Sequence, residues 1–313
     1  MNCRRTWAAL ASSMAGRLSF NASLKAYGSF GIGGPARVLA RPDTAAELAE
    51  LLDICREEQQ NYFIIGAGSN LLFSDAGFDG VIIKLGDGFK SIEQVGPSAL
   101  RAGAAVSGAL LLKAALELGL SGLEGLAGIP GSLGGALAMN AGSFGRELGP
   151  VVAGLDCLDG SGQKISLEAG QLRFSYRRLE GLPERAIILE ALLNLEPDDP
   201  AAVKARVDEV LKLRSEKQPK GFRSAGSVFK NPAGESAGRL IEASGFKGRR
   251  VGGAQVSEVH ANFIVNLGPA TCADVLELME LIREKVLADS GFSLEPEIKL
   301  VASAGKGGAD EEK

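Results

Sequence analysis

The sequence predicts an α+β protein built from three units, at residues 19–97, 98–198 and 199–302. With 313 residues, of which 45% are hydrophobic, the chain is long enough for two or three domains. Helix and strand patterns alternate, but without the regularity of a doubly wound sheet. The segment EPDDP at 196–200 interrupts the pattern and marks the last boundary.

The first unit is predicted as a small β-α-β-β module. Thr44 and Glu47 have the spacing of a capping box, which opens a helix that runs to about residue 59. Apolar, β-branched runs predict strands at 36–40, 62–65 and 81–85.

The second unit is predicted to contain one helix and several short strands. The helix covers 107–118 and ends at Gly119, a residue suited to the left-handed cap position. The strands are predicted at 100–102, 154–158, 163–166 and 187–195.

The third unit is predicted to begin with a helix, since Asp199 can cap it and Pro200 fits the first helical turn. A second helix covers 236–243 and closes at Gly245. A third opens with a capping box at Thr271 and Asp274 and ends near Asp289. Strands are predicted at 262–266 and 298–301.

The ends of the chain are predicted to lie outside these units. Residues 1–18 form an N-terminal extension in which Arg4 and Arg5 precede a short Ala-rich stretch, as in a signal peptide. Ser12 and Ser13 make that stretch only weakly apolar, which favours a frayed helix. Residues 303–313 are predicted to be a disordered polar tail.

Composition excludes several classes of function. The net charge of −4 and the lack of a basic stripe with interleaved aromatics argue against nucleic acid. Four cysteines without a C-x-x-C pair argue against a metal site and a disulfide framework, and suit a reducing compartment. No run of 18 apolar residues indicates a membrane span. We therefore expect a cytoplasmic protein.

The most informative segment is 125–145, GLAGIPGSLGGALAMNAGSFG, where apolar residues surround glycines and charge is scarce. Glycine lets the backbone approach a ligand closely and adopt positive φ. Such a segment is typical of main-chain N–H groups around a phosphate-bearing cofactor. A glycine-rich connection between strands is the alternative interpretation.

A second glycine loop, GAGSNLL at 66–72, directly follows the predicted strand 62–65. It is not a G-x-G-x-x-G motif, because Leu71 stands where the third glycine belongs, and it lacks the Gly-Lys ending of a Walker loop. A strand-ending turn is again the alternative. Two such loops in different units indicate a long ligand with a pyrophosphate between them, for which FAD is the natural candidate.

Further motifs carry a resemblance to a known family. The two loops resemble an FAD-binding domain of the vanillyl-alcohol-oxidase/PCMH type. Together with the motifs below, which lie within residues 20–302, they resemble the UDP-N-acetylenolpyruvoylglucosamine reductase family, in its compact branch without an inserted substrate-gripping loop. The motifs are SFGIGGP at 29–35, FSYRR at 174–178, AGSVFKNP at 225–232 and LEPEIK at 294–299.

The resemblance implies a two-subdomain FAD-binding domain followed by a C-terminal α+β substrate-binding domain. It also implies an enzyme that uses NADPH to reduce UDP-N-acetylglucosamine enolpyruvate to UDP-N-acetylmuramate, a peptidoglycan precursor. The cofactor residues that it implies are Gly66, Ala67, Gly68, Ser69, Asn70, Leu71, Gly128, Ile129, Pro130, Gly131, Ser132, Gly134, Gly135, Asn140 and Gly142.

The FAD is expected to be bound without a covalent histidyl link, because the first two units contain no histidine. The one histidine, His260, lies in the third unit. A lone histidine of this kind is interpreted as structural.

The resemblance also assigns catalytic roles. Ser227 donates a proton, while Arg177 and Glu297 stabilise the charge that hydride addition places on the substrate. From the residues alone, other interpretations stay open. Ser227 can be a turn serine bonded to its own backbone, Arg177 a surface arginine, and Glu297 a solvated residue of an edge strand.

The substrate residues implied by the resemblance include a cationic group suited to a uridine diphosphate. Lys299 stands where many relatives carry arginine, so that it keeps the charge but loses the planar fork. The full set is Tyr176, Arg214, Lys217, Asn231 and Lys299.

Two rival functions remain at this stage. A flavin oxidase of the same fold would react with oxygen and need no pyridine nucleotide. A non-catalytic nucleotide-sugar-binding protein would bind no flavin. The protein is expected to be a monomer with only small-molecule partners.

Overall fold

The computed structural model describes residues 7–303, so the predicted disorder of 304–313 lies outside the described residues. The helices are α1 (Trp7–Ser13), α2 (Ala45–Glu57), α3 (Gly108–Glu117), α4 (Leu133–Ala138), α5 (Pro200–Lys217), α6 (Ala237–Ala243) and α7 (Cys272–Ser290). The strands of the first half are β1 (Leu18–Ser23), β2 (Pro35–Ala40), β3 (Tyr62–Ile65), β4 (Leu71–Phe73), β5 (Phe78–Lys84), β6 (Ile92–Val95), β7 (Ala99–Gly103), β8 (Leu120–Ser121), β9 (Gly142–Ser143) and β10 (Arg146–Glu147). Those of the second half are β11 (Val152–Leu158), β12 (Lys164–Glu168), β13 (Arg173–Ser175), β14 (Arg178–Glu180), β15 (Ile187–Asn194), β16 (Glu196–Pro197), β17 (Arg250–Val251), β18 (Ala254–Val256), β19 (Ile264–Asn266) and β20 (Lys299–Val301).

The capping predictions are confirmed. Thr44 and Thr271 each accept a backbone N–H three residues on and complete capping boxes at α2 and α7. Asp199 caps α5, with Pro200 in the first turn. Gly291 ends α7 in the left-handed conformation.

The first sheet has the strand order β1-β2-β5-β3. Strands β2, β5 and β3 are mutually parallel, and β1 is antiparallel to β2. Helix α2 covers one face through its apolar stripe, with Leu48, Leu51 and Leu52 buried. The carboxyl ends of β3 and β5 therefore lie at one edge, directly before the loop GAGSNLL and residue 85.

The described part of the predicted N-terminal extension, residues 7–18, packs into the first unit's core, whereas residues 1–6 lie outside the described residues. Leu10 and Met14 are fully buried and pack in the same apolar cluster as α2. The sequence prediction of a frayed helix missed this, because α1 is short and alanine-rich and its burial depends on contact with α2.

The second sheet is antiparallel, with the order β12-β11-β15-β7-β6. Helix α3 and the glycine segment pack on it, and so does α5, through Val207 and Val210. Helix α5, which the sequence assigns to the third unit, therefore packs on the second unit's core, and the boundary at 199 stays a prediction. EPDDP marks the end of a strand, whereas the buried face of α5 belongs to the second core.

The third unit has the sheet β17-β18-β19 with α6 and α7. It is joined to the first unit by β20, which pairs in parallel with β4 and places Lys299 beside Leu71. Phe30, Ile32 and Leu72 of the first unit lie in the third unit's apolar core. Among residues 7–303, no helix is both long and apolar enough to cross a bilayer.

Asp75 makes a second connection between the first and third units. Its carboxylate accepts the N–H groups of Cys272 (2.9 Å) and Ala273 (3.1 Å), at the start of α7. A negative charge there satisfies free amide donors and interacts favourably with the helix dipole. The contact ties α7 to the loop after β4.

We predict that Asp75→Ala lowers the free energy of unfolding by about 1–2 kcal/mol, the usual cost of a lost helix cap. In a thermal melt the melting temperature is expected to fall by roughly 2–4 °C per kcal/mol of lost stability. Asp79→Ala is the matched control, because the side chain of Asp79 is 78% exposed and lies 3.7 Å from Arg37. An equal shift in both variants would contradict the capping role.

Candidate active site

A cleft of about 450 Å³ lies between the first and second sheets. Its walls come from the ends of β3 and β5 and from the start of α4. Six of the predicted cofactor residues line it: Gly66, Ala67, Gly131, Ser132, Gly134 and Gly135. The two glycine loops, distant in sequence, therefore face one cleft.

Close backbone packing explains the glycines of the first loop. A Cβ at Gly66 would collide with the Ser132 hydroxyl, so the two loops could not approach as they do. Gly68 has φ +70°, and a Cβ there would collide with the carbonyl oxygen of Tyr27. Ser69 lies opposite Gly131, with its Oγ 3.6 Å from the place a Cβ would occupy.

Three cations also line the cleft, and sequence reasoning missed them. They are Arg41, Lys84 and Lys90. Burial, assisted by Arg41 and Lys90, lowers the pKa of Lys84. Their positions in the sequence could have indicated this. Arg41 follows β2 and Lys84 ends β5, and the carboxyl ends of neighbouring parallel strands lie at one edge of a sheet. Such cations suit the diphosphate of a dinucleotide.

At the start of α4, the second glycine loop shapes the cleft but has few backbone N–H groups free to bind a ligand. The N–H groups of Leu133 and Gly134 already bond to the carbonyls of Val106 (2.8 Å) and Ala104 (2.9 Å). Ile129 and Pro130 form the turn before α4, and Gly128 has φ +71° with Arg214 packed beside it.

Asn140 and Gly142 do not offer polar groups to the cleft. Asn140 is fully buried, with φ +41°. Its amide donates to Glu147 and Ser175 and accepts from Gly149. Its side-chain donors are thereby used within the protein, and the assignment of Asn140 as a cofactor-binding residue stays a prediction. Asn140 instead anchors the strand that leads to Tyr176, and Gly142 occupies the tight β9–β10 hairpin.

Glu297 and Arg177 form a partly buried ion pair. The Nε of Arg177 lies 2.8 Å from Oε1 of Glu297, and the side chains are 21% and 13% exposed. Burial raises the pKa of the Glu297 carboxyl, and Arg177 partly opposes that rise. The proton affinity of this acid therefore depends on its pairing with Arg177.

The β13–β14 hairpin holds Arg177 in place. Tyr176 and Arg177 form its turn, and Arg177 has φ +60°. This left-handed conformation is uncommon for residues other than glycine and is found at functional sites. The guanidinium lies 5.0 Å from the centre of the Tyr176 ring and within 3.4 Å of the Gly142 carbonyl oxygen.

Ser227 lies on a segment that runs beside Glu297. The N–H of Glu297 donates to the carbonyl of Val228 at 2.8 Å, and Phe229 bridges Pro296. Within residues 7–303 no hydrogen bond involves the Ser227 hydroxyl. Contrary to the alternative interpretation, this serine is not bonded to its own backbone.

Asn70 connects the glycine loop to the same site. Its side-chain amide donates to the Glu297 carbonyl at 2.9 Å, and its own carbonyl accepts the N–H of Lys299. The next residue, Leu71, starts β4. Asn70 therefore joins the cofactor loop to Glu297 through its polar groups.

The predicted substrate residues differ in their surroundings. Burial and the charge of Arg177 lower the pKa of Arg214, which has no carboxylate partner among the described residues. Asn231 lies at Tyr176, its N–H 3.5 Å from the phenol oxygen, while its side chain accepts from Ala237. Lys217 and Lys299 are exposed. Arg177 and Arg214 together make a site for an anion.

His260 has a structural contact, as interpreted from the sequence. Its Nδ1 accepts the N–H of Asn262 at 3.2 Å. Burial, followed by the charge of Lys247, lowers its pKa, although Glu242 opposes the shift. The neutral ring is therefore favoured.

Comparison with known proteins decides the family. A family model described as UDP-N-acetylenolpyruvoylglucosamine reductase, C-terminal domain, matches residues 218–301, and one described as FAD binding domain matches 36–168. A UDP-N-acetylenolpyruvoylglucosamine reductase from Paramagnetospirillum magneticum is 41% identical, covering 94% of this chain and 95% of its own. This chain belongs to the UDP-N-acetylenolpyruvoylglucosamine reductase family.

Other members of the reductase family agree. A reductase from Heliobacterium modesticaldum is 44% identical and covers 88% of this chain. The crystal structure of the enzyme from Thermus caldophilus superposes with a TM-score of 0.78 at 38% identity, over 90% of this chain and 97% of that one. The predicted family and the fold, an FAD-binding domain followed by the reductase's C-terminal domain, are confirmed.

The cleft residues fit FAD, the cofactor of the matched domain. The two glycine loops approach closely, with no room for a Cβ at Gly66 beside Ser132, and three cations line the same cleft. Both features suit a dinucleotide diphosphate.

We predict that Gly68→Ala weakens FAD binding at least about tenfold, equivalent to 1.4 kcal/mol. The added Cβ must displace the loop or Tyr27, and alanine disfavours φ +70°. FAD titration of the apoprotein, followed by flavin fluorescence, measures the change. Gly170→Ala is the control, because nothing lies within 4 Å of its Cβ position. Unchanged affinity in Gly68→Ala would rule out this loop as a cofactor contact.

Proposed function

We propose that this chain reduces the enolpyruvyl group of UDP-N-acetylglucosamine enolpyruvate to give UDP-N-acetylmuramate, with NADPH as the reductant. The observation that carries the proposal is the partly buried Arg177–Glu297 pair. It adjoins the Ser227 segment on one side and, through Asn70, the cofactor loop on the other. Cofactor, acid and cation thus converge on one point.

The reaction adds a hydride to the methylene carbon of the enol ether and a proton to the neighbouring carbon. FAD, if bound, would supply the hydride-transfer chemistry that connects NADPH with the alkene. Hydride addition leaves negative charge on the carbon beside the substrate carboxylate. The protein must stabilise that charge until the proton arrives.

Arg177 and Glu297 are proposed to stabilise this charge together. A guanidinium held at a buried site can bind the substrate carboxylate in a bidentate manner. As Arg177 turns towards that carboxylate, Glu297 loses its counter-charge, and burial then favours its protonated form. A protonated Glu297 can donate a hydrogen bond to the enolate.

Ser227 is proposed to donate the proton. Its hydroxyl is not engaged by other described groups, so it is available to the substrate. A serine hydroxyl is a weak acid, and it can act only where the product anion is strongly stabilised, which the neighbouring Arg177 provides.

Arg214 and Lys217 are proposed to bind the diphosphate of the nucleotide sugar, with Tyr176 and Asn231 beside it. The last turn of α5 carries both cations, and Arg214 is half-buried next to Arg177, with no carboxylate partner within residues 7–303. Bringing an anion between two such arginines relieves their repulsion. Lys299 is proposed to contact the substrate from β20.

The protein is proposed to work in the cytoplasm as a monomer. Support for a reducing compartment comes from three buried free thiols, of Cys55, Cys157 and Cys272. Burial raises the pKa of Cys55 to about 12, and of the other two to about 11, so they stay protonated.

An anaerobic visible spectrum tests the function. Adding NADPH to the FAD-loaded protein is expected to bleach the flavin band, and adding UDP-N-acetylglucosamine enolpyruvate to restore it. Recovery only on admitting oxygen would instead indicate an oxidase. A protein that takes up no FAD would fit the nucleotide-sugar-binding alternative.

We predict that Ser227→Ala separates the two half-reactions. Bleaching by NADPH is expected to stay nearly unchanged, because it needs no protonation of substrate. Recovery with substrate is expected to slow by about 10²–10⁴-fold, the range for a lost general acid. Stopped-flow absorbance measures both rates. Equal slowing of the two steps would overturn the role of Ser227, and Ser224→Ala, three residues earlier, is the control.

A further inference from the structure

We propose that Asn262 is a positioning residue for proton transfer: its side chain holds the backbone that presents Ser227 and aligns Glu297. This inference rests on the proposed function of the site. Asn262 belongs to none of the motifs that predicted the site.

Asn262 forms a two-point clamp on Phe229. Its Nδ2 donates to the Phe229 carbonyl at 2.8 Å, and its Oδ1 accepts the Phe229 N–H at 3.0 Å. Its backbone carbonyl also accepts the N–H of Val228 at 2.9 Å. Three hydrogen bonds from one residue thus hold the two residues that follow Ser227.

The clamp replaces a regular strand ladder. The Ser227 segment makes only isolated bridges, from Ser227 to Phe263 and from Phe229 to Pro296. Because the Ser227 hydroxyl has no partner of its own within residues 7–303, its position depends on this backbone. The Val228 carbonyl in turn accepts the Glu297 N–H at 2.8 Å, so the clamp also constrains the backbone of Glu297.

The clamp is itself rigidly supported. Asn262 is 3% exposed and lies two residues before the start of β19. Its N–H donates to Nδ1 of His260. The His260 ring packs closely on Gly238, so that a Cβ added to Gly238 would lie 2.8 Å from Cε1 of the ring. An amide with both ends bonded inside the protein can hold one orientation only.

The variants Asn262→Ala and Asn262→Asp remove different parts of the clamp. Alanine leaves both polar groups of the buried Phe229 backbone unpaired, whereas aspartate keeps the acceptor and loses the donor. Asn266→Ala is the matched control. Asn266 is also buried and makes comparable bonds, to Phe30 and Gly268, but none to the Ser227 segment.

The experiment measures both half-reactions anaerobically in the FAD-loaded full-length protein. Asn262→Ala is expected to slow recovery with substrate by about 10–10²-fold, since a displacement of about 1 Å can cost that much. Bleaching by NADPH is expected to stay within about twofold. Asn262→Asp is expected to lie between wild type and alanine. Asn266→Ala is expected to keep both rates.

A double-mutant cycle separates positioning from simple destabilisation. If Asn262 acts through Ser227, then Asn262→Ala has little further effect on recovery in a Ser227→Ala background. Additive effects, equal slowing of both half-reactions, or the same loss in Asn266→Ala would each overturn the inference. Where Asn262→Ala fails to fold, the same cycle is run with Asn262→Asp.

The outcomes distinguish this inference from the proposed function. If the wild type bleaches but does not recover with this substrate, the proposed function is wrong and the role of Asn262 falls with it. If the wild type recovers and the Asn262 variants do too, at unchanged rates, only the positioning role is overturned.

Discussion

The pairing of β20 with β4 is the constraint on which the site depends. This short parallel pair brings the last strand of the third unit onto the loop that follows β3. Asn70 adds a side-chain bond to the Glu297 carbonyl, across 227 positions of sequence. Because glycine loop and acid are joined by backbone and amide bonds, their separation is set by the fold rather than by flexible side chains.

Around this junction the arginine charges are only partly neutralised, which favours the binding of an anion. Arg177 has one carboxylate partner, and Arg214 has none among the described residues, although both are shielded from solvent. Like charges at a buried site are costly without an anion. Burial raises the pKa of Glu297, and Arg177 opposes that rise. Arg177 therefore acts electrostatically on both Arg214 and Glu297.

Rigidity around the site comes from three asparagine amides, two of them buried, rather than from long strands. Asn140 holds the approach to Tyr176, Asn70 holds Glu297, and Asn262 holds the segment of Ser227. Each can donate and accept at once, so it can satisfy backbone groups where sheet ladders are short. The conformation of Arg177, with φ +60°, is held in such a setting.

The sequence by itself determined what depends on near neighbours or on compact motifs. The capping boxes of α2 and α7, the cap of α5, the glycine loops and the family motifs around Arg177, Ser227 and Glu297 were all readable from residues a few positions apart. Only the tertiary structure decided which side chains face the cofactor and which are buried in the protein. It placed α5 on the second unit's core, turned the amide of Asn140 inward and gathered Arg41, Lys84 and Lys90 at one cleft. The physical reason is that these contacts join residues far apart in the chain, where local propensity and periodicity carry no information about distance.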